Sequence, residues 1–386
     1  MSLAVTLPLL LALQGAPGSA SFPKGVPTTG LLELTEKGEL VLLPRHNSSP
    51  FSAFVVTRSP QQCAALEETM LAVEGYPKRW PSIKEVRVEK RTPTTVEYEF
   101  DMDFVFSPTI KGKIDRPQPG TVIFHDVDTG GRFTWTLRDV RAGCHVVYRL
   151  YQPPGKQSGF VALITSVESG AGDSGELAGA IASARGYSKP ERDVRGDGLL
   201  SDAGRMAWDR LAAEGTVLRL VRSKNRPAVV ITKRRTNRAP SEVLWSIRDR
   251  RRYTGKLDIV RKVKDRGRQV DWGFGYFGGR VNLTTAVSEQ GAANEPGGVT
   301  ITERVTGGDL ERGEWRWNVR EVQGGTEVEL TIDLDIASGS LVLRSLAEQD
   351  PMIRDAGSLQ MALAMMGALI GGKLLPMSEG PPVAVK

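Results

Sequence analysis

Two patterns of apolar positions alternate along this chain, and each pattern occurs twice. In VEYEFDMDFVF (96–106), Val96, Tyr98, Phe100, Met102, Phe104 and Phe106 fall on one side and Glu97, Glu99, Asp101 and Asp103 on the other. A period of two predicts a half-buried antiparallel strand. TVIFHDV (121–127), HVVYRLY (145–151), VTITERV (299–305) and TEVELTIDLDI (326–336) continue the series between Gly-rich turns. Helical spacing appears before and after these runs. A short amphipathic helix, a Gly stop and a strand open each half (strands Gly38–Leu43 and Gly215–Val221). A second strand (Phe51–Thr57; Ala228–Lys233) leads to Pro60–Ala72 and Pro240–Asp249, helices with Pro at a favoured N-terminal position. Apolar helical segments close the halves, Phe160–Ala184 in part and Leu341–Leu375 more fully.

The halves align residue by residue. LLELTEKGELVLLPR (31–45) matches WDRLAAEGTVLRLVR (208–222), and Tyr76 matches Tyr253, at an offset of 177. Phe100 falls on Phe274. FTWTLRDVRAG (133–143) matches WRWNVREVQGG (315–325), pairing Trp135 with Trp317, Arg138 with Arg320 and Gly143 with Gly325. A unit of this length buries its own core, so the repeat predicts a duplicated domain and not a solenoid. What both copies share belongs to the fold. What one copy holds alone is a candidate for specialised function.

The order strand, helix, antiparallel strands, long apolar helix needs the last helix to cover the sheet. The strand–Pro-helix–Tyr entry (Phe54–Tyr76; Ile231–Tyr253), the I/V-x-x-V strand after it and the W-x-x-R-[DE]-V strand resemble the START, or polyketide cyclase/dehydrase, superfamily. The coenzyme Q-binding START-type proteins are the most similar branch. The resemblance covers about 50–185 and 227–376 and implies an α+β fold of two tandem helix-grip domains, each a curved antiparallel sheet wrapped on a long C-terminal helix. The boundaries expected are 24–185 and 208–376, with a polar linker at 186–207 and a tail at 377–386. The helix–strand prefix of each repeat (31–45, 208–222) lies outside the usual family pattern.

Composition is that of a globular protein, 40% hydrophobic and 25% charged. Residues 1–20 read as a signal segment, with an apolar run from Leu3 to Leu13 and small residues to Ala20, although no Lys or Arg precedes the run. Export, to the periplasm or medium, is the expectation. Cys63 and Cys144 are both in copy one, and a disulfide would suit export, but buried free thiols are the favoured reading.

The net charge of +6 is uneven. From Arg219 to Arg268 there are 18 Lys/Arg and 4 Asp/Glu; the matching stretch of copy one, Leu42 to Arg91, has 8 and 5. Lys233, Arg234, Arg235 and Arg238, with Arg248, Arg250, Arg251 and Arg252, are candidates for docking on an anionic membrane, against the plainer reading of a solvated basic face. No nucleic-acid module accompanies the charge.

Catalytic chemistry is poorly represented. His46, His125 and His145 lack ligand spacing and read as surface or strand-face residues, so no metal site and no cofactor is expected. Gly170–Gly175 spells G-x-G-x-x-G, but the polar stretch after it supplies no second strand for a dinucleotide site. The positive signal is aromatic. Tyr98, Phe100, Met102, Phe104 and Trp135 in copy one, and Trp272, Phe274, Tyr276 and Trp317 in copy two, are candidate cavity residues. Met361, Met365 and Met366 from SLQMALAMMGALIGGKLL (358–375) join them. Plain core packing is the alternative for each. The resemblance implies binding or carriage of a lipophilic molecule (a quinone, isoprenoid or other lipid) without chemistry. The alternative is an aromatase/cyclase acting on a polyketide-like chain. Oligomeric state is left open.

Overall fold

The computed structural model describes residues 25–36, 38–44, 51–80, 83–102, 109–128, 130–140, 143–152, 181, 200–223, 226–257, 259–276, 279–339, 344 and 351–370. The chain forms two compact units, Met1–Ala228 and Val229–Lys386. They do not divide where the repeat begins, at about Trp208, because the second prefix packs in the first unit. The predicted segments Phe160–Ala184 (apart from Ile181) and 186–199, with the signal-like 1–20, lie outside the described residues.

In the first unit, α1 (Thr28–Glu36) and β1 (Gly38–Pro44) lead to β2 (Phe51–Ser59) and α2 (Cys63–Leu71). A 3-10 turn (Val73–Lys78) precedes six strands: β3 (Ile83–Arg91), β4 (Thr95–Met102), β5 (Thr109–Gln118), β6 (Thr121–Asp126), β7 (Arg132–Val140) and β8 (Gly143–Gln152). They form an antiparallel meander whose last strand pairs with β2. The second unit repeats this plan. β10 (Arg226–Thr236) runs across the division, followed by α4 (Pro240–Arg248) and a 3-10 turn (Arg250–Tyr253). Then come β11 (Val260–Asp265), β12 (Gln269–Tyr276), β13 (Gly279–Gln290), β14 (Val299–Gly308), β15 (Gly313–Val322), β16 (Gly325–Leu334) and α5 (Pro351–Ile370). β16 pairs with β10, as β8 does with β2. The fold is α+β, an antiparallel sheet with helices in each copy. The α5 helix packs on β16, and Ser358 accepts from the Leu334 N–H at 3.3 Å.

One turn shows why the repeat keeps certain residues. Gly143 and Gly325 both have positive φ, 120° and 146°, at the start of β8 and β16. A Cβ there would lie 2.0 Å from Ser59 O and 2.1 Å from Thr236 O respectively. Both the conformation and the approach of the neighbouring strand require glycine.

The prefixes acquire a role. α3 (Asp202–Glu214) and β9 (Gly215–Ser223), the prefix of copy two, pack on α1 and β1, the prefix of copy one. β1 and β9 pair antiparallel, Gly38 with Val221 and Pro44 with Gly215. Gly38 is the repeat counterpart of Gly215, and Pro44 of Val221, so the ladder maps onto itself when the copies are exchanged. Val41 pairs with Leu218, its own counterpart, and the local two-fold axis passes between them. The helices cross where Gly30 approaches Ala203 and Ala207 too closely for any side chain. Glu33 of α1 accepts from the Ser201 backbone N–H at 2.7 Å and from its hydroxyl. Ser201 caps α3 by accepting from the Gly204 N–H, so α1 is fastened to the α3 N-terminus. Those hydrogen bonds hold the Glu33 carboxyl below its usual range.

Cys63, the first residue of α2, and Cys144 on β8 form a disulfide, against the expectation of free thiols. The sequence could not place them together, because the bond links residues 81 apart through the β2–β8 pairing.

Candidate functional site

Strand alternation places one face of each sheet against its helices. In copy two this inner face carries Val270, Trp272 and Phe274 from β12, then Thr285 from β13, then Ile301, Glu303 and Val305 from β14. It continues with Trp315, Trp317 and Val319 from β15 and Val328, Leu330 and Ile332 from β16, all buried. Copy one matches it with Val96, Tyr98 and Phe100, Ile114, Val122 and Phe124, and Phe133 and Trp135.

The aromatic ladder is shared. Tyr76 meets Tyr98 edge-on at 6.3 Å and Tyr98 stacks on Phe100 at 5.8 Å. Tyr253 meets Trp272 edge-on at 5.8 Å and Trp272 stacks on Phe274 at 5.5 Å. Trp135 packs on Tyr148 at 4.5 Å, and Trp315 stands edge-on to Trp272 at 5.8 Å. Of the sequence candidates, Tyr98, Trp135, Trp272, Phe274, Trp317, Met361, Met365 and Met366 are buried, and Phe100 is half-buried on the same ladder. Met102 and Tyr276 end their strands with side chains outside the description, and Phe104 lies outside the described residues.

A group of polar residues inside copy two is the feature the sequence reading missed. Glu303 is 2% exposed on the inner face. Its Oε1 accepts from Arg250 Nε at 2.7 Å; its Oε2 accepts from Trp272 Nε1 at 3.1 Å and Thr285 Oγ1 at 3.0 Å. Asp265 lies 3.6 Å from the same guanidinium. Burial opposes the Arg250 charge, but Glu303 and Asp265 outweigh it and raise its pKa. Burial, with the Glu303 charge, pushes the Tyr253 hydroxyl well above the ordinary phenol range. By strand register, Glu303, Trp272 and Thr285 stand where copy one has Phe124, Tyr98 and Ile114, and Arg250 stands where it has Val73. All four copy-one residues are buried. The signal was available in the repeat: two apolar positions become charged with opposite sign.

The outer face shows a second exchange between copies. Glu327, 3% exposed, accepts from Lys233 at 3.0 Å, Arg235 Nε at 3.2 Å and Arg320 Nε at 2.6 Å. Its counterpart is His145, which pairs in register with Arg58 and Arg138, the counterparts of Arg235 and Arg320. His145 lies on a strand face, one of the two readings the sequence offered, and is buried there, and its Nε2 meets no partner. Burial, then the Arg138 and Arg58 charges, lower its pKa to about 4. The unfolded chain therefore binds a proton through the window from about 6.5 down to 4 that the folded chain refuses. First-unit stability should be full above pH 6.5 and fall as pH drops through that window, by up to about 3 kcal/mol. Urea melts at pH 7.5 and 4.5 check this, with His145→Gln expected to flatten the difference.

The docking candidates divide between buried and solvent-facing positions. Lys233 and Arg250 are buried in ion pairs and do not reach a surface. Arg235 is engaged with Glu327, Arg238 with Glu242 at 3.7 Å, and Arg248 with Glu289. Arg234 is half-buried. Arg251 is exposed, and Arg252 lies 4.5 Å over the ring of Trp245, itself 46% exposed. Copy one has Glu68 and Glu74 in place of Trp245 and Arg251.

His125 donates to Asp115 at 3.1 Å on a partly exposed strand, and Asp101 binds Arg87 and Thr109 on the polar face. Asp103, His46 and the 170–175 glycines lie outside the described residues. Among the described residues no group of three His, Cys, Asp or Glu could hold a metal ion, and no helix is long and apolar enough to cross a membrane.

Residues 237–351, from the start of α4 through most of the copy-two sheet, match the family model described as polyketide cyclase / dehydrase and lipid transport. The matched stretch includes Arg250, Trp272, Glu303 and Trp315. No curated protein matches the chain. Solved structures similar to it include the di-domain ARO/CYC StfQ from the steffimycin biosynthetic pathway, at 9% identity and TM-score 0.27, covering 83% of this chain and 95% of that one. A START superfamily protein from Mycobacterium smegmatis is similar at 14% identity and TM-score 0.30, covering 37% and 94%. A STAR-related lipid transfer protein fragment from Xanthomonas axonopodis is similar at 16% and 0.29, covering 39% and 94%.

Proposed function

We propose that the chain binds a lipophilic small molecule on the inner face of copy two and carries or presents it without chemistry. The observation that carries this is the state of the one carboxylate among the copy-two ladder residues. Both oxygens of Glu303 are engaged, and the basic partner is a guanidinium, which does not titrate near neutral pH. General acid–base work needs a group free to exchange a proton with the substrate. What remains is an aromatic and methionine surface, suited to a quinone, isoprenoid or other lipid. An aromatase/cyclase role, the activity in the name of StfQ, is the rival reading. The test is to purify the full chain from its native host and identify co-extracted molecules by mass spectrometry. A lipid or quinone recovered unchanged after incubation supports carriage. Turnover of a polyketide-like chain would replace it with the enzyme reading.

Membrane contact and export form the rest of the proposal. The disulfide is compatible with an oxidising compartment. The surface patch that suits a bilayer is narrower than the charge count suggested: Trp245 with Arg251 and Arg252. Tryptophan and arginine together suit a headgroup layer, and each cation contributes about 1 kcal/mol near an anionic surface. Changing Trp245, Arg251 and Arg252 together to Glu should abolish co-sedimentation with phosphatidylserine vesicles at low salt. Vesicle binding that survives both the triple change and high salt would remove this patch from the account.

A further inference from the structure

Resting on the reading of copy two as the binding site, we propose that its ligand is a neutral lipophile bearing a carbonyl-type oxygen, held by a hydrogen bond from Trp315. The Trp315 side chain is 1% exposed, and its Nε1, a donor only, is buried and meets no hydrogen-bond partner. A buried donor without an acceptor is costly, so native structures seldom leave one unless something else supplies the acceptor. Trp315 lies directly across the strands from Glu303 and edge-on to Trp272 and Phe274, at 5.8 Å and 6.5 Å. The neighbouring acceptors are already committed, Glu303 Oε1 to Arg250 and Oε2 to Trp272 and Thr285. Thr232 Oγ1, buried on the same face, is likewise without a partner. Copy one has Phe133 and Val55 at these two positions, so this indole donor and this hydroxyl belong to copy two alone.

The chemistry of the missing partner follows from what is unmet. An indole N–H asks for an oxygen acceptor, which a pure hydrocarbon lacks. An anion would meet the Glu303 carboxylate, whose positive partner is already neutralised by it. A quinone, enone or ketone satisfies the donor without introducing a charge.

The experiment uses the full chain and two probes of equal length, an alkyl-1,4-naphthoquinone and the corresponding alkylnaphthalene. Trp315→Phe installs the residue copy one uses, which keeps the ring and removes the donor. The quinone should bind this variant about five- to tenfold more weakly than it binds the parent, one hydrogen bond's worth. The hydrocarbon should bind both alike. Independently of any variant's folding, one of the seven indole N–H signals of the 15N-labelled parent should move downfield with the quinone and not with the hydrocarbon, and Trp315→Phe should remove that signal. If the parent binds both probes equally and the Trp315 signal stays in place, the hydrogen bond is refuted while the carrier reading stands. Equal weakening of both probes in Trp315→Phe would refute it too, leaving a packing role. If the parent binds neither probe, the binding site itself is refuted.

Discussion

Reducing the Cys63–Cys144 bond, or replacing both cysteines with serine, should lower the unfolding free energy of the first unit by about 4 kcal/mol. The bond closes a loop across 81 residues, and loop-closure entropy removed from the unfolded chain grows with the logarithm of that length. The bond also fixes the start of α2 to β8. The Cys63 N–H there donates to Asp139 Oδ1 at 3.2 Å, an interaction that should fray when the tether is lost. Copy two has no cysteine, so its protection should be unchanged. Hydrogen exchange followed by mass spectrometry, with and without reductant, reports the units separately. A loss below about 1 kcal/mol in the first unit, or an equal loss in both, would contradict the expectation.

Glu303→Phe should cost the second unit about 3 kcal/mol, because it takes the nearest carboxylate from the buried Arg250 guanidinium and leaves it only Asp265, 3.6 Å away, as an ion-pair partner. Phe is what copy one carries at that position, so the substitution is not foreign to the fold. Adding Arg250→Val, again the copy-one residue, should recover most of the loss, since exchanging a whole buried ion pair for packed apolar groups is often close to neutral. Urea denaturation of the two single variants and the double variant gives the coupling directly. Additive losses in the double variant would show that Arg250 and Glu303 do not act as a pair.

Strand alternation and the internal match made the secondary structure and the shared ladder legible. Val96, Tyr98 and Phe100 alternate with charges, and their counterparts Val270, Trp272 and Phe274 sit at a fixed offset. Local order was readable because the periods of two and 3.6 are local. Long-range pairing was not. Nothing near Lys233 in sequence announces Glu327, and nothing near Arg250 announces Glu303, so a run of cations read as a solvated or membrane-facing patch. The sheet register brings those carboxylates in from β16 and β14 and turns part of the patch inward. The cysteines failed for the same reason, since their proximity depends on β2 pairing with β8 across the whole meander. Prefix pairing was invisible from either repeat by itself.

The ladder between β1 and β9 has the symmetry of a homodimer contact made inside one polypeptide. A shorter chain with a single repeat, beginning with the same helix and strand, would present an edge complementary to itself, and two such chains could meet in the register now running from Gly38 to Pro44. Fusion turns that bimolecular encounter into an intramolecular one, at an effective concentration on the order of millimolar, so the pairing no longer depends on how much protein is present. It also lifts a genetic constraint. In a homodimer every substitution appears twice; in a fused pair one copy can keep Val73 and Phe124 while the other acquires Arg250 and Glu303.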